Sequence, residues 1–230
     1  MDSEFNQKYF ILTQSLEYGL TDNYPRILGE DKFIFYNKSK VEVFTLSDKK
    51  LIWDLTIPQI EQVERRNQGR AVFTDKKFVF IRFSGGRIKC LSVFDGSTNW
   101  EYIPPFKEVS YGEIESRIYV HTGKGFIELD KETGEEIRSA NYSHYSKLVK
   151  LSSNGIIWCW KEILLTRNSF SGEIAVFNRY TFDLIDYKIV DNAGIPESVD
   201  CIRFNNDCLY ILATSSTLYI YQLPKMIKSN

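Results

Sequence analysis

The chain is 230 residues long, 43% hydrophobic and 26% charged, and its 29 Lys and Arg nearly cancel its 30 Asp and Glu. That balance excludes a broad electrostatic hold on nucleic acid or on an anionic membrane. Aromatic residues make up 15% of the chain, which excludes a disordered acidic tail, and the length fits one globular domain, expected over residues 1–230.

The opening residues Met1 to Asn6 carry no basic segment leading into an apolar stretch, so no secretory signal is expected. The apolar runs Ile156 to Trp160 and Ile163 to Leu165 fall far short of the roughly 18 residues that a membrane span needs. Cys90, Cys159, Cys201 and Cys208 form no Cys-x-x-Cys pair and are joined by only two histidines, which is poor material for zinc. No metal and no cofactor is expected, and a reducing cytoplasm is the expected compartment.

In chain order, residues 8–18 read as a strand, and five similar units follow. Each unit carries an aromatic β-rich run: Phe33 to Phe35, Phe78 to Phe80, Ile118 to Val120, Ile156 to Trp158 and Leu209 to Ile211. The runs are spaced by 45, 40, 38 and 53 residues. A strand precedes each run, at Arg26 to Leu28, Ala71 to Phe73, Glu108 to Ser110, Leu148 to Leu151 and Val199 to Phe204. An alternating strand follows each one, at Val41 to Phe44, Ile88 to Phe94, Gly125 to Leu129, Glu173 to Phe177 and Leu218 to Leu223. A polar turn and a fourth strand close the first four units, around Trp53, Trp100, Ile137 and Leu184. Four strands in 40 to 50 residues is the arithmetic of a propeller blade. The expected fold is therefore all-β: a single five-bladed β-propeller with four-stranded antiparallel blades. The last unit lacks its fourth strand, so residues 8–18 are expected to supply it and close the ring, which removes both open edges.

The segment Asp130-Lys131-Glu132-Thr133-Gly134-Glu135-Glu136-Ile137, and more loosely Phe94 to Trp100, resembles the quinoprotein-type (pyrroloquinoline-quinone-like) propeller repeat. That motif has an Asp, then Thr-Gly, then a Trp on the outer strand; here Ile137 is read at the Trp position of the third unit. The resemblance implies the propeller fold and carries over no cofactor-binding residue.

Candidate chemistry is sparse. His121 falls within a strand and reads as structural, while His144 lies on a loop between units. Glu113 and Glu115 are a carboxylate pair of the kind that strand alternation exposes routinely. Gly85-Gly86 and Gly123-Lys124-Gly125 sit where hairpins need positive φ, not where a phosphate loop opens a helix. Trp158 and Trp160 share one sheet face and read as inter-blade packing, leaving Cys159 an inert buried thiol. Thr56 to Arg66 reads either as one or two helical turns capped by Thr56 or, preferably, as a protruding loop. Residues 101–136 hold nine acids against four bases, an acidic blade suited to a basic partner.

The expected site is the loop face, with Glu61, Glu64, Arg66, Phe106, Tyr142, His144, Tyr145, Arg167 and Phe170 as partner-binding residues. Without a catalytic set, the expectation is a non-enzymatic protein-binding propeller with no direct nucleic-acid or membrane partner. Its narrowest form is a cytoplasmic bacterial immunity protein that neutralises a cognate toxin one to one, a basic nuclease domain being the suited target. The alternatives are a carbohydrate-binding or glycoside-hydrolysing propeller and a scaffold subunit of a larger complex.

Overall fold

The computed structural model describes residues 26–28, 30–36, 40–58, 72–83, 85–106, 109–122, 124–141, 157–167, 172–192, 195–196, 199–205, 208–213 and 216–223. They form an all-β chain of antiparallel sheets. Sheet one holds β1 (Arg26–Leu28), β2 (Lys32–Tyr36), β3 (Lys40–Thr45) and β4 (Leu51–Thr56). Sheet two holds β5 (Val72–Thr74), β6 (Phe78–Arg82), β7 (Ile88–Ser92) and β8 (Thr98–Tyr102). Sheet three holds β9 (Ser110–Ile114), β10 (Arg117–His121), β11 (Gly125–Asp130) and β12 (Glu136–Asn141). Sheet four holds β13 (Ile157–Trp160), β14 (Ile163–Arg167), β15 (Glu173–Asn178) and β16 (Leu184–Ile189). A two-residue ladder pairs β17 (Asp191–Asn192) with β18 (Ile195–Pro196), and sheet five holds β19 (Val199–Asn205), β20 (Cys208–Ala213) and β21 (Leu218–Gln222). Strands within each of these sheets pair in sequence order.

The chain divides into two compact units, Met1–Arg66 with Arg70–Lys107 and Asn67–Gly69 with Glu108–Asn230. In the first unit, Ile34, Val41, Val43 and Trp53 of sheet one share a core with Val79, Ile81, Phe83 and Leu91 of sheet two. In the second unit, sheet four is covered on both faces. Leu164 and Phe177 pack with Tyr119 and Phe126 of sheet three, while Leu165 and Val176 pack with Ile202 and Ile211 of sheet five. Double coverage explains why β14 reads Ile-Leu-Leu-Thr-Arg, buried throughout, where a half-exposed strand would alternate. The outer strand β12, exposed or half-exposed along its length, is correspondingly polar.

The second strands begin at Lys32, Phe78, Arg117, Ile163 and Cys208, offsets of 46, 39, 46 and 45 residues. This corrects the fourth unit: Ile157–Trp160 is the first strand of its sheet, and Ile163–Arg167 is the second. The expected strand at Leu148 to Leu151 lies outside the described residues, as does the closing strand at 8–18. The strand expected at Glu108 to Ser110 instead runs from Ser110 to Ile114. Thr56 ends β4, paired with Lys40; residues 59–66, where helical turns or a protruding loop are expected, lie outside the described residues.

One turn joins the third and fourth strands in all four four-stranded sheets. It begins at Thr45, Ser92, Asp130 and Asn178 and reaches positive φ four residues later, at Lys49 (57°), Gly96 (72°), Gly134 (72°) and Phe182 (61°). The first residue accepts backbone N–H groups on its side chain: Asp130 Oδ1 takes Glu132 N at 2.9 Å and Thr133 N at 3.0 Å, and Asn178 Oδ1 takes Tyr180 N at 2.7 Å. Lys49 holds the left-handed conformation with a Cβ, at about 1 kcal/mol. Lys49→Gly is therefore expected to raise stability by about 0.5 kcal/mol, after the entropy glycine returns to the unfolded chain, and to raise the urea midpoint accordingly.

A β-bulge follows the same register in each of these sheets, at Val43/Phe44, Cys90/Leu91, Glu128/Leu129 and Val176/Phe177. It sets four equivalent residues on the fourth strands, Trp53, Trp100, Arg138 and Asp186, opposite Val43, Cys90, Glu128 and Val176. The residue at the Trp position of the third unit is thus Arg138, not Ile137, which is 46% exposed.

Candidate functional site

Of the nine residues expected on the binding face, Phe106 and Arg167 are described; Glu61, Glu64, Arg66, Tyr142, His144, Tyr145 and Phe170 lie outside the described residues. Phe106 is exposed just after Pro104 and Pro105, and Ile103 before them is 71% exposed. Two prolines cannot donate to a ladder, so the segment leaves β8 and holds both apolar side chains toward solvent. Arg167, expected on an exposed loop, ends β14 opposite Ile174 and is buried. Its guanidinium lies 5.2 Å from the Trp158 ring centre, so it packs within the sheet-four layer.

The remaining candidates resolve into packing and ion pairs. Trp158 and Trp160 face the core shared with sheet five, and Trp160 stacks on Phe204 at 5.5 Å. Cys159 faces the other way, where a Cβ on Gly112 would meet its Sγ at 2.9 Å; burial pushes its thiol far above the usual range. Glu113 meets Lys131 at 3.0 Å, and Glu115, at φ 56°, meets Arg179 at 3.3 Å. Gly85 and Gly86 both hold positive φ in the β6–β7 hairpin; Gly123 lies outside the described residues.

The acids of residues 101–136 are largely neutralised in place. Arg87 takes Glu101 at 2.9 Å, and Arg117 takes Asp130 at 3.0 Å. Glu128, buried, is held between Arg117 at 3.2 Å and Arg138. The window 101–136 leaves out Arg87, Arg138 and Arg179, which pair with Glu101, Glu128 and Glu115 and cut the local excess of acids from five to two. Glu132 and Glu135 on the turn after β11, and Glu136 at the start of β12, are exposed.

His121 ends β10 with its ring 5.2 Å from Phe126 and no exposed surface. Burial lowers its pKa from 6.5 to about 3, so it is neutral at pH 7. The unfolded chain takes up the proton first, so the stability that neutral His121 contributes is complete above about pH 6.5 and is lost as pH falls toward 3. Urea titrations are expected to lose about 1.4 kcal/mol per pH unit through this window from His121 alone. In His121→Leu that share of the slope disappears; an unchanged slope would reject the assignment.

No protein-family model matches the chain, and no match is found among curated protein sequences. Among solved structures it is similar to BamB from Moraxella catarrhalis (TM-score 0.62, 16% identity, 86% of this chain and 60% of that one). It is similar to KlAtg21 in complex with the coiled coil of AgAtg16 (TM-score 0.65, 14% identity, 87% and 66%). It is also similar to Hsv2 of Kluyveromyces lactis (TM-score 0.63, 11% identity, 88% and 62%). These neighbours are β-propeller proteins, and BamB is of the pyrroloquinoline-quinone-like repeat type. The chain spans about 60% of the length of BamB, and identities this low establish likeness of fold alone.

Proposed function

We propose that the chain is a non-enzymatic, protein-binding propeller acting in the cytoplasm. The observation that carries this reading is the pair Ile103 and Phe106, exposed about a double proline on the segment leaving β8, since apolar and aromatic anchors of this kind dominate protein interfaces. The likeness to propellers, one of them solved with a coiled-coil partner, supports the class of partner. The test is affinity capture from native lysate with mass spectrometry and measured stoichiometry. One protein at one to one is the expected result. Phe106→Ala should weaken it about tenfold, and joint replacement of Glu61, Tyr142, Tyr145 and Phe170 should abolish it with the fold intact. Unchanged affinity in both variants rejects this face.

The narrower reading is an immunity protein that occludes a cognate basic toxin, a nuclease domain among the suited targets. Its support is the exposed trio Glu132, Glu135 and Glu136; charge reversal there should slow association and flatten its salt dependence.

The reading includes five blades, the last completed by residues 8–18. In sheet five, β21 bonds to β20 alone among the described strands, and Leu218 and Ile220 on it are 55% and 59% exposed. An open apolar edge is an aggregation hazard that a fourth strand removes. Deletion of residues 1–20 should give an aggregating or strongly destabilised chain; a stable, monodisperse product rejects the closure.

A further inference from the structure

The fourth residue of the second strand is a hydrocarbon in four sheets, Phe35, Ile81, Val120 and Ile211, whereas sheet four has Thr166 there. The residue opposite is Glu42, Lys89, Ile127 or Tyr219 in those sheets, and Ala175 in sheet four. Sheet four thus carries the smallest pair at this place and puts a hydroxyl on it. Thr166 faces sheet three, because Ile157 and Ala175, its neighbours on either side, lie in one core with Tyr119 and Phe126. His121, opposite Phe126, and Ser110, opposite His121, enter the same layer from sheet three. They enter it near Thr166: two residues along β9 from Ser110, a Cβ on Gly112 would stand 3.0 Å from the Cβ of Ile157. Ser110, His121 and Thr166 have no exposed surface, and the Ser110 and Thr166 hydroxyls have no hydrogen-bond partner among the described residues. A hydroxyl left so costs the full penalty of its desolvation, and folded proteins keep few of them.

We propose that the layer between sheets three and four encloses a water molecule bound by the Ser110 and Thr166 hydroxyls, with a ring nitrogen of His121 as its third partner. Three polar groups are the usual complement of a buried water. The room comes from Thr166 and Ala175, which stand where a larger pair fills the same place in the other sheets. Each hydroxyl turns to donate or to accept, and a neutral imidazole offers one donor and one acceptor, so the set can serve both protons and a lone pair of a single water. The repeat argues that these groups are not needed for packing alone, since Ile81 and Ile211 do that with hydrocarbon at the Thr166 position. Bound there, the water ties the first two strands of sheet three to the second strand of sheet four, and the site is independent of any partner protein.

The test uses the full chain and the variant Thr166→Val, which keeps the shape of threonine and sets a valine where sheet three already has Val120. If the water is bound, the substitution removes one of its partners and should lower the folding equilibrium constant about fivefold, read from urea titrations. If it is not, the substitution removes an unsatisfied hydroxyl and should raise that constant, which overturns the proposal. Ser110→Ala should act in the same direction as the expected loss. The double variant should lose less than the two single losses combined, because the second substitution meets a site from which the water has already gone; independent effects overturn the shared site. A crystal structure of the unmodified chain, at a resolution that orders internal water, gives the direct reading and decides alone should a variant fail to fold. One water within hydrogen-bond distance of both Ser110 Oγ and Thr166 Oγ1 is expected. Hydroxyls bonded to each other or to backbone carbonyls, with no water between them, overturn the proposal.

Discussion

Trp53→Ala is expected to cost about 3–5 kcal/mol, the range for removing a buried large aromatic side chain from a packed core. Three contributions combine there. The side chain is 8% exposed within a core shared by two sheets, so its apolar area is removed from water. Its Nε1 serves the Val93 carbonyl, which then loses a partner. Its ring lies flat enough on the Gly96 turn that a Cβ there would approach Cδ2 to 2.7 Å. Gly96→Ala should consequently be nearly as damaging, because it forces both that clash and a left-handed alanine at φ 72°. Trp53→Phe keeps most of the area and loses the hydrogen bond, so about 1–2 kcal/mol is expected. Circular dichroism across a urea titration measures all three without depending on the indole fluorescence being removed. A Trp53→Ala loss below about 1 kcal/mol would mean that the ring does not hold the two sheets together.

The sequence was legible where hydrophobic alternation and turn residues agreed. Phe33 to Phe35, Phe78 to Phe80 and Ile118 to Val120 announce the second strands of three sheets, and each lies within β2, β6 or β10. The fourth sheet was misread because its first hairpin turns at Lys161-Glu162, where Lys161 adopts φ 50° without a glycine to mark it. With no glycine or proline between the runs Ile156 to Trp160 and Ile163 to Leu165, the hairpin turn goes unmarked and the first strand reads as the second. Arg138 was missed for a different reason. The Asp, Thr-Gly, Trp motif sets Ile137 at the Trp position, but the bulge at Glu128/Leu129 changes the phase and brings Arg138 opposite Glu128. Asp186 carries no local signal at all. Its place appears only when the bulge aligns it with Trp53 and Arg138. At the loop face, Phe106 is exposed, as a loop position after Pro104 and Pro105 allows. Arg167, expected on the loop face, ends β14, and double coverage of sheet four buries it.

Arg138→Ala is expected to cost about 3 kcal/mol or more, because it removes one side of a buried charge pair. Glu128 has an 8% exposed side chain, and its remaining cation, Arg117, sits at 3.2 Å and is shared with Asp130. The Arg179 and Tyr180 carbonyls lose a charged donor in the same step, and Phe182 loses the cation above its ring. Arg138→Lys should recover less than half, since a single ammonium cannot serve two carbonyls and a carboxylate at once. The sharper test uses the internal repeat. Sheet one solves the same position with Val43 opposite Trp53, where sheet three has Glu128 opposite Arg138. Arg138→Trp alone should be strongly destabilising, because it leaves Glu128 buried with a single cation. Glu128→Val alone should be destabilising too, because it takes the buried carboxylate away from Arg117 and Arg138. Together they should fall well short of the sum, with a coupling energy of about 1–3 kcal/mol in a double-mutant cycle. Simple additivity would mean that the two layers are held by unrelated contacts, and that the equivalence of Trp53, Arg138 and Asp186 is one of position without consequence for packing.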